Sequence, residues 1–481
     1  MTHGVNDFFD FATATVPADA LGSVHFLAIG GSGMSGVAQL LHDQGVPVSG
    51  CDGAASPAVQ RLQSAGVPVR VGHDPGHLSD VDTLVVSSAI PQANPELVAA
   101  RAQGMRVLHR AQALASAMGA DTRVAIAGAN GKTTTSAMLV TALRAAGADP
   151  SFVIGSELVD LDRNSLRGSG AIFVAEADES DGSFLAYRPD IAIVTNVQPD
   201  HLDFYGDYAH VQAAYAAFAQ SVAPDGLLLA AADDPGAADL ASAMRELGRR
   251  VITYGESVDA DVRIEALEIT GGVGHAWVVG AGRTLELSVA APGRHNVHNA
   301  CAALAAGWLG LRLDPQRLAA GLAAFPGTRR RFERKGEVGG VLVVDDYAHN
   351  APKVAALVAA ARSVVADGSA VRVVFQPHLY SRTRDFAPGF AAGLAPADQI
   401  VLLPVYGARE QPMAGVDAHL IADLLVADGH PAQLVANPEQ AVRELVATAR
   451  AGDLIVTIGA GDVTQLGPQI LAALAQRAAC P

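Results

Sequence analysis

The sequence predicts an α/β protein of three domains built on parallel sheets. Three observations carry this prediction. The chain has 481 residues, too many for one hydrophobic core and suited to about three domains at ~150 residues each. Short β-branched runs punctuated by Gly and Pro alternate with Ala/Leu-rich stretches, the texture of strand-helix-strand units. Two glycine-rich turns stand between an apolar strand and a helix, the place where such sheets hold ligands.

The first predicted domain, residues 1–120, opens on the apolar strand Val24-His25-Phe26-Leu27-Ala28-Ile29. Gly31, Gly33 and Gly36 then give G-x-G-x-x-G, and the helical run Val37 to Gln44 follows. That strand-turn-helix context gives the motif its meaning: the glycines let backbone approach a phosphate at a helix N-terminus. A second strand ends at Asp52, a candidate partner for a ribose hydroxyl, and runs at Val67 to Val71 and Thr83 to Val86 continue the alternation. This unit is read as a nucleotide-binding Rossmann-like domain.

The second predicted domain, residues 121–327, begins with Val124-Ala125-Ile126-Ala127 and the loop Gly128-Ala129-Asn130-Gly131-Lys132-Thr133-Thr134-Thr135. It reads as a phosphate-binding loop. Its glycines let N–H groups close on oxyanions, the following helix points its positive end at them, Lys132 adds a point charge, and Thr133 offers a hydroxyl to Mg2+. The loop is shorter than the general Walker pattern, with Ile126 where that pattern has its first glycine. Two further turns follow strands at Ala171 to Ala175 and Ile191 to Val197. One, Glu176-Ala177-Asp178-Glu179-Ser180-Asp181, supplies hard oxygen ligands suited to Mg2+. The other, Gln198-Pro199-Asp200-His201-Leu202-Asp203, sets imidazole beside carboxylates. Ligands gather at the carboxyl ends of parallel strands, so these three turns are expected to converge. Weaker strand-like runs lie between Arg250 and Val289, and Asn296 and Asn299, before an Ala-rich helix, either read a base edge or cap that helix.

The third predicted domain, residues 328–481, alternates again, with strands at Gly340 to Val344, Val371 to Phe375, Ile400 to Pro404 and Leu454 to Ile458. Its entrance, Arg329-Arg330-Arg331-Phe332-Glu333-Arg334-Lys335, is the densest basic run in the chain. It is either a solvated linker face or a source of arginines that neutralise phosphoryl charge. Arg382 and Arg384 follow one strand, and Asp345-Asp346-Tyr347-Ala348-His349-Asn350 follows another. Aspartates there can hold ribose, metal or an amine, and His349 can handle protons near neutral pH or satisfy a local turn.

The formal charge of −16 argues against a nucleic-acid or anionic-membrane surface, so neither partner is expected and anionic ligands must be met by local positive clusters. Cys51, Cys301 and Cys480 lack metal-ligand spacing, which fits a reducing compartment. The N-terminus, with Asp7 and Asp10 among its phenylalanines, lacks an export signal, and nowhere do 18 apolar residues run together. A cytoplasmic protein is expected.

Taken together, Ile29-Gly30-Gly31-Ser32-Gly33-Met34-Ser35-Gly36, Glu176-Ala177-Asp178-Glu179-Ser180-Asp181, Asp200-His201-Leu202-Asp203, Arg330-Arg331-Phe332, Asp345-Asp346-Tyr347 and Phe375-Gln376-Pro377-His378 resemble the Mur ligases, the ATP-dependent amide ligases of peptidoglycan precursor synthesis. The resemblance covers nearly the whole chain. It implies that the first domain holds a UDP-sugar, through Gly31, Ser32, Gly33, Met34, Ser35, Asp52 and Ser88. It implies ATP on Gly128, Ala129, Asn130, Gly131, Lys132, Thr133, Thr134, Arg331 and Asp346, with Asn296 and Asn299 by the adenine, between the second and third domains. It implies Mg2+ held by Thr133, Glu176 and His201. Catalytic roles fall to Lys132, His201, Arg330, Arg331, His349, Arg382 and Arg384, and the amino acid to Tyr347, His349 and Arg382. The implied reaction joins L-alanine to UDP-N-acetylmuramate through an acyl phosphate, by a monomer or homodimer.

Two residues divide the family resemblance. Members specific for L-alanine usually carry His where this chain has Asn130, whereas Tyr215 matches them where relatives that add later residues carry a lysine. A recycling ligase that attaches whole peptides is the nearest confusable relative. Two other classes stay open on the residues themselves: an NAD-dependent oxidoreductase using the first glycine loop, and a non-enzymatic ATP-binding switch.

Overall fold

The structure, a computed structural model, describes residues 9–11, 13, 15–408 and 410–479, except the side chains of Ser32, Asp203 and Ala479. Asp7 and Cys480 lie outside the described residues. Three sheets of five, ten and six strands form the three domains.

The first sheet contains β1 (Val24–Leu27), β2 (Val48–Asp52), β3 (Val69–Val71), β4 (Thr83–Val86) and β5 (Arg106–His109), in the order β3-β2-β1-β4-β5. All its pairings are parallel. The order reverses at β1, so the crevice of a doubly wound sheet opens beyond its carboxyl end. There the chain enters α1 (Ser32–Asp43), with α2 (Pro57–Ser64), α3 (Pro95–Ala102) and α4 (Arg110–Met118) completing the unit. Both central strands are wholly buried, as strands covered on two faces must be.

The second sheet comprises β6 (Thr122–Ala127), β7 (Ser151–Leu158), β8 (Arg163–Leu166), β9 (Ile172–Glu176), β10 (Ile191–Val194), β11 (Leu227–Ala231), β12 (Val251–Gly255), β13 (Val262–Thr270), β14 (Val273–Gly280) and β15 (Arg283–Val289). Its order is β15-β14-β13-β12-β11-β10-β6-β9-β7-β8. Here β6 lies between β9 and β10, both parallel to it, with Ile126 opposite Glu176 and Ala127 opposite Val194. That register brings the three turns singled out in the sequence to one edge. Helices α5 (Lys132–Ala145), α6 (Leu202–Tyr205), α7 (Tyr208–Gln220), α8 (Pro235–Glu246), α9 (Arg294–Ala305) and α10 (Pro315–Ala323) belong to this domain. The strand ends differ from expectation by a residue or a few: Glu176 closes β9, and β10 stops at Val194, leaving Thr195 to Val197 to lead into the third turn.

The third sheet holds β16 (Glu333–Val338), β17 (Val341–Asp346), β18 (Val371–Phe375), β19 (Gln399–Leu402), β20 (Ala432–Leu434) and β21 (Leu454–Ile458), in the order β16-β17-β21-β18-β19-β20. Asp345 and Asp346 are the last residues of β17 rather than part of the turn beyond it. Asp346 and Phe375 both pair with Ile458, which aligns three strand mouths. Helix α11 (Ala351–Val364) is capped by Asn350, whose side chain accepts from Lys353 N, and α12 (Tyr380–Leu394) carries Arg382 and Arg384 in its first turns. Leu357, Val373, Phe375, Phe390 and Ile458 are among the core, each fully buried apolar side chain contributing about 1.5–3 kcal/mol.

By internal contacts the residues fall into two units. One runs to Glu265 and includes Trp277–Leu287 and His298–Phe325; the other has Ala266–Ala276, Ser288–Val297 and the chain from Pro326.

Candidate active site

The phosphate loop is built to a backbone shape that only glycine tolerates. Gly128 has φ +141°, and a Cβ there would stand 1.9 Å from Thr195 Oγ1; Gly131 has φ +88°, with Asn299 Oδ1 2.7 Å from the corresponding point. Residue 130 is held through its backbone: its N–H donates to Asn196 Oδ1 at 2.9 Å, and its carbonyl accepts from Thr195 Oγ1 at 2.6 Å and Asn196 Nδ2 at 3.0 Å. The Asn130 side chain adds one long bond to Gln198 Oε1, 3.3 Å. Thr195 and Asn196 were not singled out in the sequence, which placed them inside the strand Ile191 to Val197 rather than just past its end at Val194.

Beyond this brace, α5 begins at Lys132. Lys132 Nζ donates to Gly128 O at 2.6 Å and Glu179 Oε1 at 2.7 Å. Burial alone would lower this amine, but the Glu179 and Glu176 carboxylates overcome it and hold the ammonium form above its ordinary range. Thr133 Oγ1 donates to Glu176 Oε1 at 2.9 Å, and Gly155 N to Glu176 Oε2 at 2.6 Å. His201 is in the left-handed region with φ +52°, and its Nε2 stands 3.9 Å from Glu179 Oε1. Glu179, Asp200 and His201 present ligand atoms within 4.8 Å of one another. Glu179 Oε2 is enclosed with no hydrogen bond, an acceptor turned inward beside hard oxygen and imidazole donors. This set fits Mg2+. Ala129 and Thr134 lie in the same loop and first helical turn, and Tyr215 on α7 is buried edge-on to Phe184, ring centroids 5.7 Å apart, its hydroxyl without a hydrogen bond.

Asn299 is buried beside the Gly131 turn. Asn296 donates from Nδ2 to Pro292 O at 2.7 Å, so part of its amide serves the local turn.

In the first domain the Gly30 N–H donates to Asp52 Oδ2 at 2.8 Å, so that carboxylate braces the glycine loop. A Cβ on Gly33 would lie 2.1 Å from Arg110 Nη1. Arg110, missed in the sequence, thus sets a guanidinium over the start of α1, where backbone N–H groups already favour an anion. It also faces Asp178 at 3.7 Å. Met34 is buried and Ser35 partly so; the Ser32 side chain lies outside the described residues. Ser88 donates to Asp181 and bonds His109 Nε2 at 3.0 Å, tying the first domain to the acidic turn of the second.

In the second unit, Arg330 is committed to backbone: Nη2 donates to Gly459 O at 2.5 Å and Gly461 O at 3.3 Å, and Nη1 to Ala460 O at 3.4 Å. Its Nε is 3.6 Å from Asp345 Oδ2. It also lies over the Tyr347 ring at 4.7 Å, with Arg331 at 5.7 Å. Asp346 accepts Phe332 N at 2.7 Å and Ala348 N at 2.8 Å; burial raises its carboxyl against the pull of Arg331. His349 stacks edge-on to Tyr347 at 4.9 Å, and Arg382 Nη1 donates to its carbonyl at 3.3 Å. Burial pushes the His349 imidazole down to about 4, so it is neutral at pH 7. Arg384 forks onto Asp385 at 2.7 and 3.1 Å, and among the described residues no hydrogen bond joins it to His349.

Comparison with known proteins settles the family. The Mur ligase family catalytic-domain model matches residues 23–122, the Mur ligase middle-domain model residues 126–307, and the Mur ligase glutamate ligase domain model residues 330–461. The chain belongs to the Mur ligase family. It is 54% identical over 460 residues to the UDP-N-acetylmuramate–L-alanine ligase of Kineococcus radiotolerans, covering 95% of this chain and 97% of that one. The corresponding ligase of Renibacterium salmoninarum is 48% identical over 469 residues, 96% of this chain and 98% of its own. Among solved structures, UDP-N-acetylmuramate-alanine ligase from Thermotoga maritima superposes with TM-score 0.78 at 27% identity, over 95% of this chain and 99% of that chain. A murein peptide ligase from Psychrobacter arcticus shares the fold, TM-score 0.66 at 24% identity, over 94% and 99%. The chain is an ATP-dependent, amide-bond-forming ligase. Among the described residues, no helix is long and apolar enough to cross a membrane.

Proposed function

We propose that this Mur ligase joins L-alanine to UDP-N-acetylmuramate with hydrolysis of ATP to ADP and phosphate, in the cytoplasm. The observation that carries the reading is one strand-mouth constellation: Lys132, Thr133, Glu176, Glu179 and His201 around a glycine-shaped loop. Lys132 and the loop N–H groups hold the triphosphate, and the Glu179 carboxylate now paired with Lys132 gives way to phosphate. Thr133 and Glu176 on one side, and His201 with Glu179 and Asp200 on the other, would hold Mg2+, which would supply charge neutralisation for phosphoryl transfer. The UDP moiety lies on Gly31, Ser32, Gly33, Met34, Ser35, Asp52 and Ser88, with Arg110 added. The domain limits are taken at 120 and 327.

The lactyl carboxylate of the sugar nucleotide attacks the γ-phosphorus, giving an acyl phosphate and ADP. The amine of L-alanine then adds to the acyl carbon, and the tetrahedral intermediate expels phosphate. Activation is required because a carboxylate has no leaving group better than oxide. The protein's part is positioning and electrostatic stabilisation. Arg331, Tyr347, His349, Arg382 and Arg384 serve the carboxylates and amine of the second half-reaction; neutral His349 orients the amine rather than storing its proton. Arg330 acts by holding Tyr347 and the turn after β21.

A phosphate-release assay with UDP-N-acetylmuramate against L-alanine, glycine, L-serine and L-alanyl peptides tests the proposal. Release with L-alanine at the highest kcat/KM is expected. Release only with peptides reassigns the chain to the recycling reaction, and none with any acceptor removes the ligase reading.

A further inference from the structure

A second cluster of metal-ligating side chains lies in the first domain, away from the phosphate loop. His25 on β1, Cys51 on β2, His77 in the turn after β3 and Glu96 on the first turn of α3 present ligand atoms all within 4.8 Å of one another. His25, Cys51 and Glu96 are 2%, 0% and 0% exposed.

The separations measured to the Glu96 carboxylate are close to those around one ion, and the remaining pairs lie within 4.8 Å. Cys51 Sγ is 3.3 Å from both Glu96 oxygens, His25 Nε2 is 3.4 Å from Glu96 Oε2, and His77 Nδ1 is 3.2 Å from Glu96 Oε1. Donors bound at roughly 2.0–2.3 Å to a tetrahedral ion stand about 3.3–3.8 Å apart. His73 Nδ1, at 3.3 Å from Cys51 Sγ and 3.6 Å from Glu96 Oε1, sits at the rim with its side chain 30% exposed and gives an entry side.

An independent observation points inward. His25 Nε2 is enclosed and lacks a well-formed hydrogen bond, its nearest partner being Glu96 Oε2 at 3.4 Å, while its ring is fixed by Nδ1 against Ser49 Oγ at 2.9 Å. In the tautomer whose Nδ1–H donates to Ser49 Oγ, Nε2 would turn its lone pair toward Glu96 3.4 Å away, an arrangement that a cation between them makes favourable. An oriented imidazole of this kind is what a metal ligand requires. Glu96 is likewise oriented, by the Asp74 N–H at 2.8 Å.

We propose that His25, Cys51, His77 and Glu96 bind one zinc-class divalent cation. Thiolate and imidazole select a borderline-soft ion over Mg2+ or Ca2+, and four protein ligands make the site structural. Binding forms the metal–sulfur bond as Cys51 releases its thiol proton to solvent. The ion clamps β1, β2 and α3, and the residue after Cys51 is the Asp52 that braces the glycine loop.

The test uses the full-length protein, stripped with a chelator and loaded with Zn2+ or Co2+. Wild type is expected to retain one equivalent of zinc after desalting, to melt higher when loaded, and to show a thiolate-to-cobalt charge-transfer band. Cys51→Ser should remove that band, and His77→Ala should weaken zinc binding roughly tenfold or more. A His201→Ala variant keeps the equivalent, separating this site from the nucleotide site. No retained zinc in wild type, or a band that survives Cys51→Ser, overturns the proposal. Should Cys51→Ser fail to fold, unchanged zinc affinity in His77→Ala overturns it equally.

Discussion

Lys132 and Glu179 form a buried ion pair, 2.7 Å from Nζ to Oε1, with the lysine side chain 14% and the glutamate 2% exposed. Removing one partner of such a pair strands a buried charge, at a cost of about 3–5 kcal/mol. Lys132→Ala is therefore expected to lower the melting temperature as well as abolish ATP turnover, while UDP-sugar binding to the first domain survives. Adding Glu179→Gln should restore much of the stability and none of the activity. Thermal melts beside phosphate release check both; a double variant no more stable than the single one breaks the argument.

Arg330 and Arg331 are neighbours with opposite expectations. Arg330 spends its guanidinium on the Gly459, Ala460 and Gly461 carbonyls and lies near Asp345. Its loss leaves those acceptors and a buried carboxylate without it, so Arg330→Ala should cost on the order of 3 kcal/mol of stability. Arg331, stacked on Tyr347 at 5.7 Å, should lower turnover on alanine substitution more than it weakens ATP binding or stability. Equal melting losses in the two variants would show that the second arginine is structural too.

Gly128→Ala puts a methyl 1.9 Å from Thr195 Oγ1 at φ +141°, which requires the brace around residue 130 to move. The strained backbone alone costs about 1–3 kcal/mol. ATP turnover should fall by at least ~100-fold, because a 1 Å misplacement of a positioned group has that effect. Adding Thr195→Ser keeps the hydroxyl oxygen and should not rescue; wild-type turnover in Gly128→Ala counts against the loop geometry.

Asn130 is the residue at which the family resemblance points away from L-alanine, yet the loop is held by residue 130's backbone, and its side chain makes one 3.3 Å bond. Asn130→His is expected to keep L-alanine turnover within about fivefold, since one exposed hydrogen bond is worth about 1 kcal/mol or less. A switch of preferred acceptor on this substitution would assign the side chain a selectivity role.

These residues also show where the sequence was legible. Both glycine turns and the strands before them were readable because their signals are local: glycine where φ is positive, at Gly128 and Gly131, or where a side chain would collide with Arg110, at Gly33, with apolar runs beneath. His201 stands by Glu179 and Asp200 rather than by the glutamate the resemblance implied, whereas that Thr133 and Glu176 meet followed from a general rule of parallel sheets. The Lys132–Glu179 pair did not, since 47 residues separate the partners and an acidic loop looks the same whether its carboxylate faces metal, lysine or water. The arginine run was ambiguous for the same reason, and only the turn after β21 distinguishes Arg330 from Arg331. Cys51 was set aside for want of a spacing motif; its neighbours His25, His77 and Glu96 are assembled by strand order, which no linear pattern encodes.

Two histidines give stability a pH dependence with a definite sign. Burial lowers His109 to about 4, against Asp181 and alongside Arg110, and lowers His349 to about 4 with Arg382, Lys353 and Arg331 nearby. Unfolded histidine titrates near 6.5, so between about 6.5 and 4 the unfolded chain takes up protons that the folded chain refuses. Stability is therefore full above 6.5, falls as the pH drops through that window, and loses nothing further from these groups below 4. For His109, fully enclosed between Ser88, Asp181 and Ala111, the loss is on the order of 3 kcal/mol at most; for partly exposed His349 it is smaller. His109→Gln removes one titrating group, so whatever its melting temperature at pH 7.5, its decline between pH 6.5 and 4.5 should be shallower than wild type. Parallel declines would mean that His109 is protonated in the folded protein, as its 3.6 Å approach to Asp181 would then require.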